Sequence, residues 1–333
     1  MNRLDKIKGC MIAGAIGDAL GYEVEFNLEP GIFKRFGKEG IQEYELYDGL
    51  AIVSDDTQMA MFSANAMIYA NANELDEIKT IRDSYFAWYH TQVNDYHYHD
   101  DPQFWIMNEK RLYASRAPGM TCLSAIEMGC NGTIENPINN SKGCGGIMRI
   151  APISLAFDES KDSKEVAMLC AKASALTHGH KLGYIPSAYL GYMIHKIIHS
   201  NKTMIDLHDE TLNVINELFK DSKDKTYFIE LINKAVALAQ DDLNDLEAIH
   251  KLGAGWVAEE TLAISLYCAI KYQNDFKKAI TTSVNHEGDS DSTGAVCGNL
   301  LGAYLGYDKL PTNYVNPLEM KDTILQLATQ LDS

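Results

Sequence analysis

The chain has 333 residues, with 29 Lys and Arg against 46 Asp and Glu, which gives a formal net charge of −17. Hydrophobic residues make up 46% and charged residues 23%, a composition that excludes disordered and collagen-like chains. The acidic excess argues against nucleic acid or an anionic membrane surface as a partner, because both require a basic binding face. Phosphate-bearing small molecules remain open as ligands, since metal ions and backbone N–H groups bind them.

The cysteines indicate the compartment. There are seven, an odd number, and none forms a C-x-x-C pair. This usage is typical of reduced, mostly buried thiols, so we expect a cytoplasmic protein. The apolar stretch 10–15 is too short for a signal peptide, and the chain contains no run of eighteen apolar residues. The sequence therefore predicts neither a secretory leader nor a transmembrane helix.

Helical patterns dominate the chain. Apolar residues recur at helical spacing, and alternating strand patterns of convincing length are missing. The segments predicted as helices are 59–70, 165–176, 185–198, 229–239, 257–272 and 295–304. Polar, Gly-containing loops are predicted at 30–48, 90–102, 131–146 and 285–291. We therefore predict an all-α protein with one compact, many-helix domain over residues 1–333.

Two acidic clusters precede predicted helices. The first acidic cluster is 54–57 (SDDT), and the second is 289–293 (DSDST). Ser, Asp and Thr are favoured helix caps, so capping explains either cluster taken alone. A cap needs only one oxygen, however, and two adjacent carboxylates repel each other unless a cation neutralises them. The all-oxygen donor set suits Mg²⁺, Ca²⁺ or Mn²⁺ better than zinc. If the clusters meet, they could hold two divalent ions.

A second possible metal motif is the segment 97–101 (HYHDD). It looks superficially like the H-x-H-x-D-H zinc motif of metallo-β-lactamase-like hydrolases, but the last His is missing and that fold needs strands. A polar aromatic loop is the favoured interpretation. The dipeptides His99-Asp100 and His208-Asp209 are of the kind used by all-α HD-type phosphohydrolases. They are weak signals that keep this alternative open.

Glycine-rich segments suggest both packing and binding. The run 14–21 places small residues every three or four positions, which predicts close helix packing with Asp18 as a buried structural acid. Glu25 follows where the chain should leave the helix. The loop 143–146 (GCGG) could cradle a diphosphate through backbone N–H groups, or could be a simple turn. His178 lies between two predicted helices, as a helix C-terminal residue or as a ligand contact.

Taken in order, six segments resemble the ADP-ribosylglycohydrolase family, and the resemblance runs from Gly9 to about Tyr307. The matching pieces are GCMIAGAIGDALGYEVEF, SDDTQM, GCGGIMRIAPI, THGHKLGY, LGAGWVAEETLAISLYCA and NHEGDSDSTGAVCGNLLGAYLG. The resemblance implies an all-α fold with a cleft that holds two divalent cations, Mg²⁺ or Mn²⁺. It also implies hydrolysis of the glycosidic bond between ADP-ribose and a protein side chain.

The same resemblance implies a role for individual residues. The implied metal ligands are Ser54, Asp55, Asp56, Asp289, Asp291 and Ser292. The implied ADP-ribose contacts are Ser141, Gly143, Cys144, Gly145, Gly146 and His178. Glu25 is the first candidate for the general base that acts on water, and Asp55 and Asp291 are the catalytic alternatives. Two departures stand out, since Cys144 replaces a frequent Asn and Glu287 replaces a frequent Gly.

Arginine is the favoured acceptor, because the segment GWVAEETLAISLY resembles bacterial members that tend toward arginine-linked ADP-ribose. Serine-linked and other O-linked substrates stay open. So do two other function classes, a non-catalytic ADP-ribose binder and an all-α metal phosphohydrolase. We expect a monomer that acts on an ADP-ribosylated protein and releases ADP-ribose.

Overall fold

The computed structural model describes residues 2–333 and consists of helices joined by loops. The α-helices, numbered α1 to α16 in chain order, are Arg3–Tyr22, Glu29–Phe36, Asp55–Asn73, Glu77–Val93, Met120–Glu127, Ala151–Leu155, Ser163–Ala175, Lys181–Ile198, Met204–Leu218, Lys223–Ala239, Asp245–Leu252, Ala258–Lys271, Phe276–Val284, Ser290–Leu305, Thr312–Val315 and Lys321–Leu331. Short 3₁₀ helices cover Pro102–Asn108, Lys110–Leu112, Cys144–Gly146 and Tyr307–Lys309. Within residues 2–333 there is no β-strand, so the predicted all-α fold is confirmed.

The predicted helices are present, but five of the six begin earlier than predicted. The largest difference is at α10, which begins at Lys223 rather than at 229. Its cap is Ser222, whose side chain accepts a hydrogen bond from the backbone N–H of Lys225. Apolar spacing marks only the face that packs on the core, whereas the first turn of a helix is polar and is defined by its cap.

The predicted loop 30–48 is wrong in its first part, because α2 occupies Glu29–Phe36. Pro30 lies in the first turn of this helix, where its missing N–H has no helical partner to lose. Ile32 is the one buried residue of α2, and the helix is only eight residues long, so its apolar pattern is too short to recognise. The predicted loop at 90–102 is also too long, since α4 continues to Val93.

Helices α1 and α14 are in backbone contact. A Cβ atom added to Gly17 would lie 2.0 Å from the carbonyl oxygen of Gly294, and one added to Gly9 would lie 2.3 Å from that of Gly302. Only glycine allows two backbones to approach this closely. The predicted close packing is confirmed. The pairing of early with late residues shows that the helices are antiparallel, so the end of α1 lies beside the start of α14.

Asp18, on α1, connects this helix to the start of α3 through hydrogen bonds. Its carboxylate is fully buried and accepts hydrogen bonds from the backbone N–H groups of Ser54, at 3.0 Å, and Thr57, at 3.1 Å, and from the Thr57 hydroxyl. Burial raises the pKa of Asp18 to about 6, and these hydrogen bonds oppose that rise. The prediction of a buried, hydrogen-bonded structural acid is confirmed. The ends of α1, α3 and α14 therefore converge at one place.

Buried apolar side chains from nearly every helix form one continuous core. The seven cysteines are free, and six of them are buried. Over residues 2–333, no helix combines the length and the apolar character that crossing a bilayer requires.

Candidate functional site

A cavity of about 330 Å³ opens where the three helix ends converge, and we call it the acidic cavity. Its carboxylates are those of Glu25, Asp55, Asp56, Asp289 and Asp291, and all of them are buried. Among its lining residues in the described chain there is no Lys or Arg. The carboxylates therefore face one another without a protein cation to balance them.

The two acidic clusters meet inside this cavity. The hydroxyl of Ser292 donates a hydrogen bond to Oδ2 of Asp56 at 2.8 Å. Capping is also present, because Oγ of Ser54 accepts from the N–H of Asp56 and Oδ1 of Asp289 accepts from that of Ser292. Ser54 is fully buried behind the cavity and does not line it. Capping therefore occupies Ser54 and one oxygen of Asp289, while the carboxylates of Asp55, Asp56 and Asp291 still line the cavity.

Proximity and burial strongly perturb these acids. Burial is the largest cause that holds the pKa values of Asp55, Asp56 and Asp291 well above the usual range, and the neighbouring carboxylates add to it. Burial, together with the charges of Asp289, Asp55 and Asp18, raises the pKa of Glu25 to about 9. Without a cation, these carboxyl groups therefore stay protonated at pH values at which exposed Asp and Glu side chains are ionised.

The donor set fits hard divalent cations. Oε2 of Glu25 is buried without a hydrogen-bond partner in the described chain. Glu25, Asp289 and Asp291 each offer one oxygen, and these oxygens lie within 4.8 Å of one another. Carboxylate and hydroxyl oxygens are the ligands that Mg²⁺, Mn²⁺ and Ca²⁺ prefer. A cation bound near these carboxylates would relieve their mutual repulsion.

The segment 117–122 forms a wall of the cavity that the sequence analysis missed. The N–H of Gly119 donates to Oδ2 of Asp55 at 3.2 Å, and the N–H of Asp55 donates to the carbonyl of Arg116. Together these bonds fix the orientation of the Asp55 carboxylate. The Pro118-Gly119 pair before α5 was the available signal, since such pairs mark loops that carry function.

The glycine loop lies against the second acidic cluster. Sγ of Cys144 donates to Oδ2 of Asp289 at 2.7 Å, and burial beside Asp289 holds the pKa of this thiol well above its usual value. Gly143, Cys144 and Gly145 line the cavity. Ser141 and Gly146 do not line it. Instead, Oγ of Ser141 accepts from the N–H of Gly143, and a Cβ on Gly146 would lie 2.2 Å from Oγ of Ser174. These two residues shape the loop.

His178 lines the cavity as a neutral imidazole, because burial and then the nearby Arg149 lower its pKa to about 3. Nη2 of Arg149 donates to the hydroxyl of Thr177 at 2.5 Å, and that hydroxyl lies 2.8 Å from Nδ1 of His178. Because arginine can only donate, the Thr177 hydroxyl accepts from it and keeps its own proton available for donation to Nδ1. When the hydroxyl donates in this way, the imidazole proton lies on Nε2, close to Gly143.

Three large exposed side chains, Phe26, Met120 and Trp256, line the acidic cavity, and the sequence analysis did not predict them. We call this group, which contains two aromatic rings, the aromatic rim. The rings of Phe26 and Trp256 stack with centroids 6.0 Å apart and an interplanar angle of 26°. Phe26 is 71% exposed, Trp256 44% and Met120 76%. The segment that carries Trp256 is held in place by the N–H of Asp289, which donates to the carbonyl of Ala254 at 2.9 Å. Large exposed apolar side chains around a cleft mark a contact surface.

The histidines of the alternative motifs lie outside the acidic cavity. His97, His99 and His208 are absent from its lining. His208 is buried in α9, where Nδ1 contacts the hydroxyl of Tyr189 at 2.8 Å and Nε2 contacts Oδ1 of Asn233 at 2.9 Å. It is a satisfied core histidine, so the His-Asp alternative has no counterpart at this cavity.

The amino-acid sequence of this chain is similar to those of several known proteins. The ADP-ribosyl-[dinitrogen reductase] glycohydrolase of Rhodospirillum rubrum is 24% identical over 323 residues, which covers 95% of this chain and 91% of that protein. The ADP-ribosylarginine hydrolase Tri1 of Serratia proteamaculans (strain 568) is 23% identical over 98% of this chain and 79% of that one. The ADP-ribosylhydrolase ARH3 of Bos taurus is 26% identical over 200 residues, and the chain spans about half of its length (54%).

The fold is also found among solved structures. That of an ADP-ribosylglycohydrolase-related protein complex superposes with a TM-score of 0.62 and 21% identity, and the match covers 99% of this chain and 98% of the other. This likeness shows the shared fold. The sequence model of the ADP-ribosylglycohydrolase family matches residues 1–333. The chain therefore belongs to the ADP-ribosylglycohydrolase family.

Proposed function

We propose that this protein hydrolyses the glycosidic bond that links ADP-ribose to a protein side chain, with arginine as the favoured acceptor. The observation that carries the proposal is the acidic cavity, in which five buried carboxylates face one another beside the glycine loop, without a lining Lys or Arg. A site of this kind gains affinity for a diphosphate only when cations offset its charge.

The residues that would hold two divalent cations, Mg²⁺ or Mn²⁺, come from both acidic clusters. They are Asp55, Asp56, Asp289, Asp291 and Ser292, with Ser54 behind them. When bound, the cations would neutralise these carboxylates and engage the hydroxyls of the substrate ribose. Fixing the sugar in this way supplies positioning, which can account for a large share of the barrier reduction.

The glycine loop, which lies against the second acidic cluster, would bind the diphosphate. Gly143 and Gly145 bring the backbone to the cavity surface without side chains in the way. The proton on Nε2 of His178 offers a neutral donor beside this loop. Because this imidazole is neutral, it can donate to a phosphate oxygen without taking the place of a metal cation beside the acidic clusters.

Glu25 is the proposed general base. It lies directly after α1, lines the cavity beside Asp291, and has one carboxylate oxygen without a hydrogen-bond partner. Its carboxylate would take the proton from water as the water attacks C1″ of the ribose, where glycoside cleavage develops oxocarbenium-like character. Asp55 and Asp291 are poorer bases, because carboxylates engaged by cations lose proton affinity.

The aromatic rim supports arginine as the acceptor. Phe26 adjoins Glu25, so the rim lies on the side of the cavity where the bond would break. A guanidinium group is planar and stacks on an indole face such as that of Trp256, whereas a serine side chain offers no such surface. The name of the Serratia relative, an ADP-ribosylarginine hydrolase, points the same way.

The test is product analysis with two substrates, an ADP-ribosyl-arginine peptide and an ADP-ribosyl-serine peptide. Each is incubated with EDTA, with Mg²⁺ or with Mn²⁺, and the products are separated by chromatography. We expect intact ADP-ribose from the arginine peptide only when a cation is present. Release from the serine peptide alone would reassign the acceptor. Release of AMP or phosphate, or substrate binding without any product, would contradict the proposal.

A further inference from the structure

Three histidines lie together outside the acidic cavity, and we call them the histidine cluster. His90 lies in the last turn of α4, and His97 and His99 lie on the loop that follows. The ring centroids of His97 and His99 are 4.2 Å apart, those of His90 and His97 are 5.1 Å apart, and those of His90 and His99 are 5.9 Å apart. Each ring therefore contacts the other two.

Hydrogen bonds hold part of this cluster in place. The N–H of His99 donates to Oδ1 of Asn108 at 2.9 Å, and Nδ2 of Asn108 donates back to the carbonyl of His99 at 2.9 Å. Nε2 of His99 lies 3.1 Å from the hydroxyl of Tyr113, which leaves Nδ1 for another partner. Nδ1 of His90 is buried and has no hydrogen-bond partner in the described chain. A buried polar atom without a partner needs an explanation.

Two of the three imidazoles, those of His90 and His99, are shifted toward the neutral form. Burial lowers the pKa of His90 and of His99, and the charge of a neighbouring protonated imidazole lowers both further. The carboxylate of Asp101 acts on His99 in the opposite sense. Neutral imidazole is the commonest metal ligand, and nearby negative charge favours a bound cation.

We propose that His90, His97 and His99 bind one divalent transition-metal ion of the zinc type, at a site separate from the acidic cavity. Imidazole nitrogen suits Zn²⁺, Cu²⁺ and Ni²⁺, whereas Mg²⁺ and Mn²⁺ prefer oxygen donors. Three protein ligands would leave a fourth position for water. The ion would tie the loop at 94–101 to the end of α4.

The site forms by rotation of the rings. Within residues 2–333, Glu25, Asp289 and Asp291 are the one group of at least three candidate ligands whose donor atoms already lie within 4.8 Å of one another. The histidine nitrogens must therefore turn toward a common point. His97 is exposed and lies on a loop, so its side chain has the freedom to do so.

The experiment titrates the untagged full chain with Zn²⁺ against a chromogenic chelator, with Mg²⁺ in excess to occupy oxygen sites. We expect one Zn²⁺ per chain in this competition. In the His97→Ala variant the affinity should fall by more than about tenfold, since removing even an outer partner of a ligand costs about 10–100-fold. The matched control is His250→Ala, which removes an exposed imidazole on α11 and should leave the affinity unchanged.

A second measurement reports the ligands directly. Electron paramagnetic resonance of one equivalent of Cu²⁺ should show coupling to several nitrogens in the parent chain and to fewer in His97→Ala and His99→Ala. Thermal unfolding of each variant checks that it is folded. Equal zinc affinity in the parent chain and in folded His97→Ala, or a copper spectrum with oxygen ligands only, would overturn the proposal.

Discussion

The acidic cavity and the histidine cluster are two groups of candidate ligand atoms that differ in their donor atoms and in the structural elements that carry them. The cavity draws its oxygen donors from the ends of three helices, two of which are in backbone contact at Gly17 and Gly294. The cluster draws two of its three nitrogen donors from one loop. One oxygen each of Glu25, Asp289 and Asp291 already lies within 4.8 Å of the other two, whereas the histidine rings must turn. The helix ends therefore hold the cavity oxygens in place before a ligand binds, whereas the histidine rings must rearrange when their ligand binds.

Burial shifts the two groups in opposite directions for the same physical reason. It raises the pKa of Glu25 and lowers the pKa of His90, because in both cases it disfavours the charged form. Like charges add to each shift. Burial thus favours the protonated form of Glu25 and the neutral form of His90. Protons compete with a cation in the cavity at neutral pH, and they compete much less in the cluster.

The largest expected effect separates the two groups directly. The Asp55→Asn variant should lose turnover of ADP-ribosyl-arginine by about 10³-fold or more, a loss of the size seen when a key electrostatic stabiliser is removed. Its Mn²⁺ affinity should fall as well, while its zinc affinity at the histidine cluster stays unchanged. Asp209→Asn, an exposed change on α9, is the control. Near-normal turnover in Asp55→Asn would contradict the assignment of the cavity.

A sharper test within the cavity concerns Glu25. The Glu25→Gln variant should lose turnover by about 10²–10⁴-fold, the usual contribution of a general base. It should still bind ADP-ribose, because the glycine loop and His178 are untouched. Calorimetric titration with ADP-ribose, beside the rate assay, measures both quantities. Loss of binding together with turnover would show that Glu25 holds the site together rather than acting on water.

The third prediction tests the rigid framework under the cavity. Gly17→Val places a side chain against the backbone of Gly294, so it should destabilise folding by about 3 kcal/mol, at the upper end of overpacking costs. The control is Gly31→Ala on α2, where an added Cβ meets nothing within 4 Å. Urea unfolding measures both variants. Equal stability of the two variants would contradict direct backbone contact between α1 and α14.

The smallest expected effect is the pH dependence of stabilisation by a cation. The pKa of Glu25 is raised to about 9 in the folded cation-free protein, so its protonation stabilises the fold at low pH and this contribution is lost as pH rises through about 9. A cation must displace this proton. Its stabilisation should therefore grow between pH 7 and pH 8, by about 1.4 kcal/mol for each proton displaced. Thermal unfolding with EDTA or Mn²⁺ at both pH values measures it, and an equal gain at both would contradict the coupling.

Much of this site could be predicted from the chain, because its donors lie at helix starts. Ser54 caps α3 directly before the cavity residues Asp55 and Asp56, and Asp289 is both a cap and a cavity residue, so local chemistry marks these positions. Asp18 and the small residues of α1 predicted a buried acid and a close helix contact, and both are present. That Ser292 reaches Asp56 depends on the pairing of α1 with α14, and no local pattern encodes such a pairing.

Other parts of the site could not be predicted in this way. Phe26 and Trp256 are far apart in sequence, and tertiary contacts such as the hydrogen bond from Asp289 to the carbonyl of Ala254 bring them together. The segment 117–122 is positioned by tertiary hydrogen bonds, from the N–H of Gly119 to the Asp55 carboxylate and between the hydroxyls of Thr121 and Ser141. The helix α2 was missed because it is only eight residues long and contains Pro and Gly, which are typical of loops. Tertiary contacts determine these features.

One titration tests the central claim most directly. The cation-free protein is titrated with Mn²⁺ while bound Mn²⁺ and the rate of ADP-ribose release from an ADP-ribosyl-arginine peptide are measured on the same samples. We expect two Mn²⁺ ions per chain, a rate that rises with their binding, and the loss of both in Asp291→Asn. Full activity in the presence of excess EDTA, or normal activity of Asp291→Asn, would contradict the account.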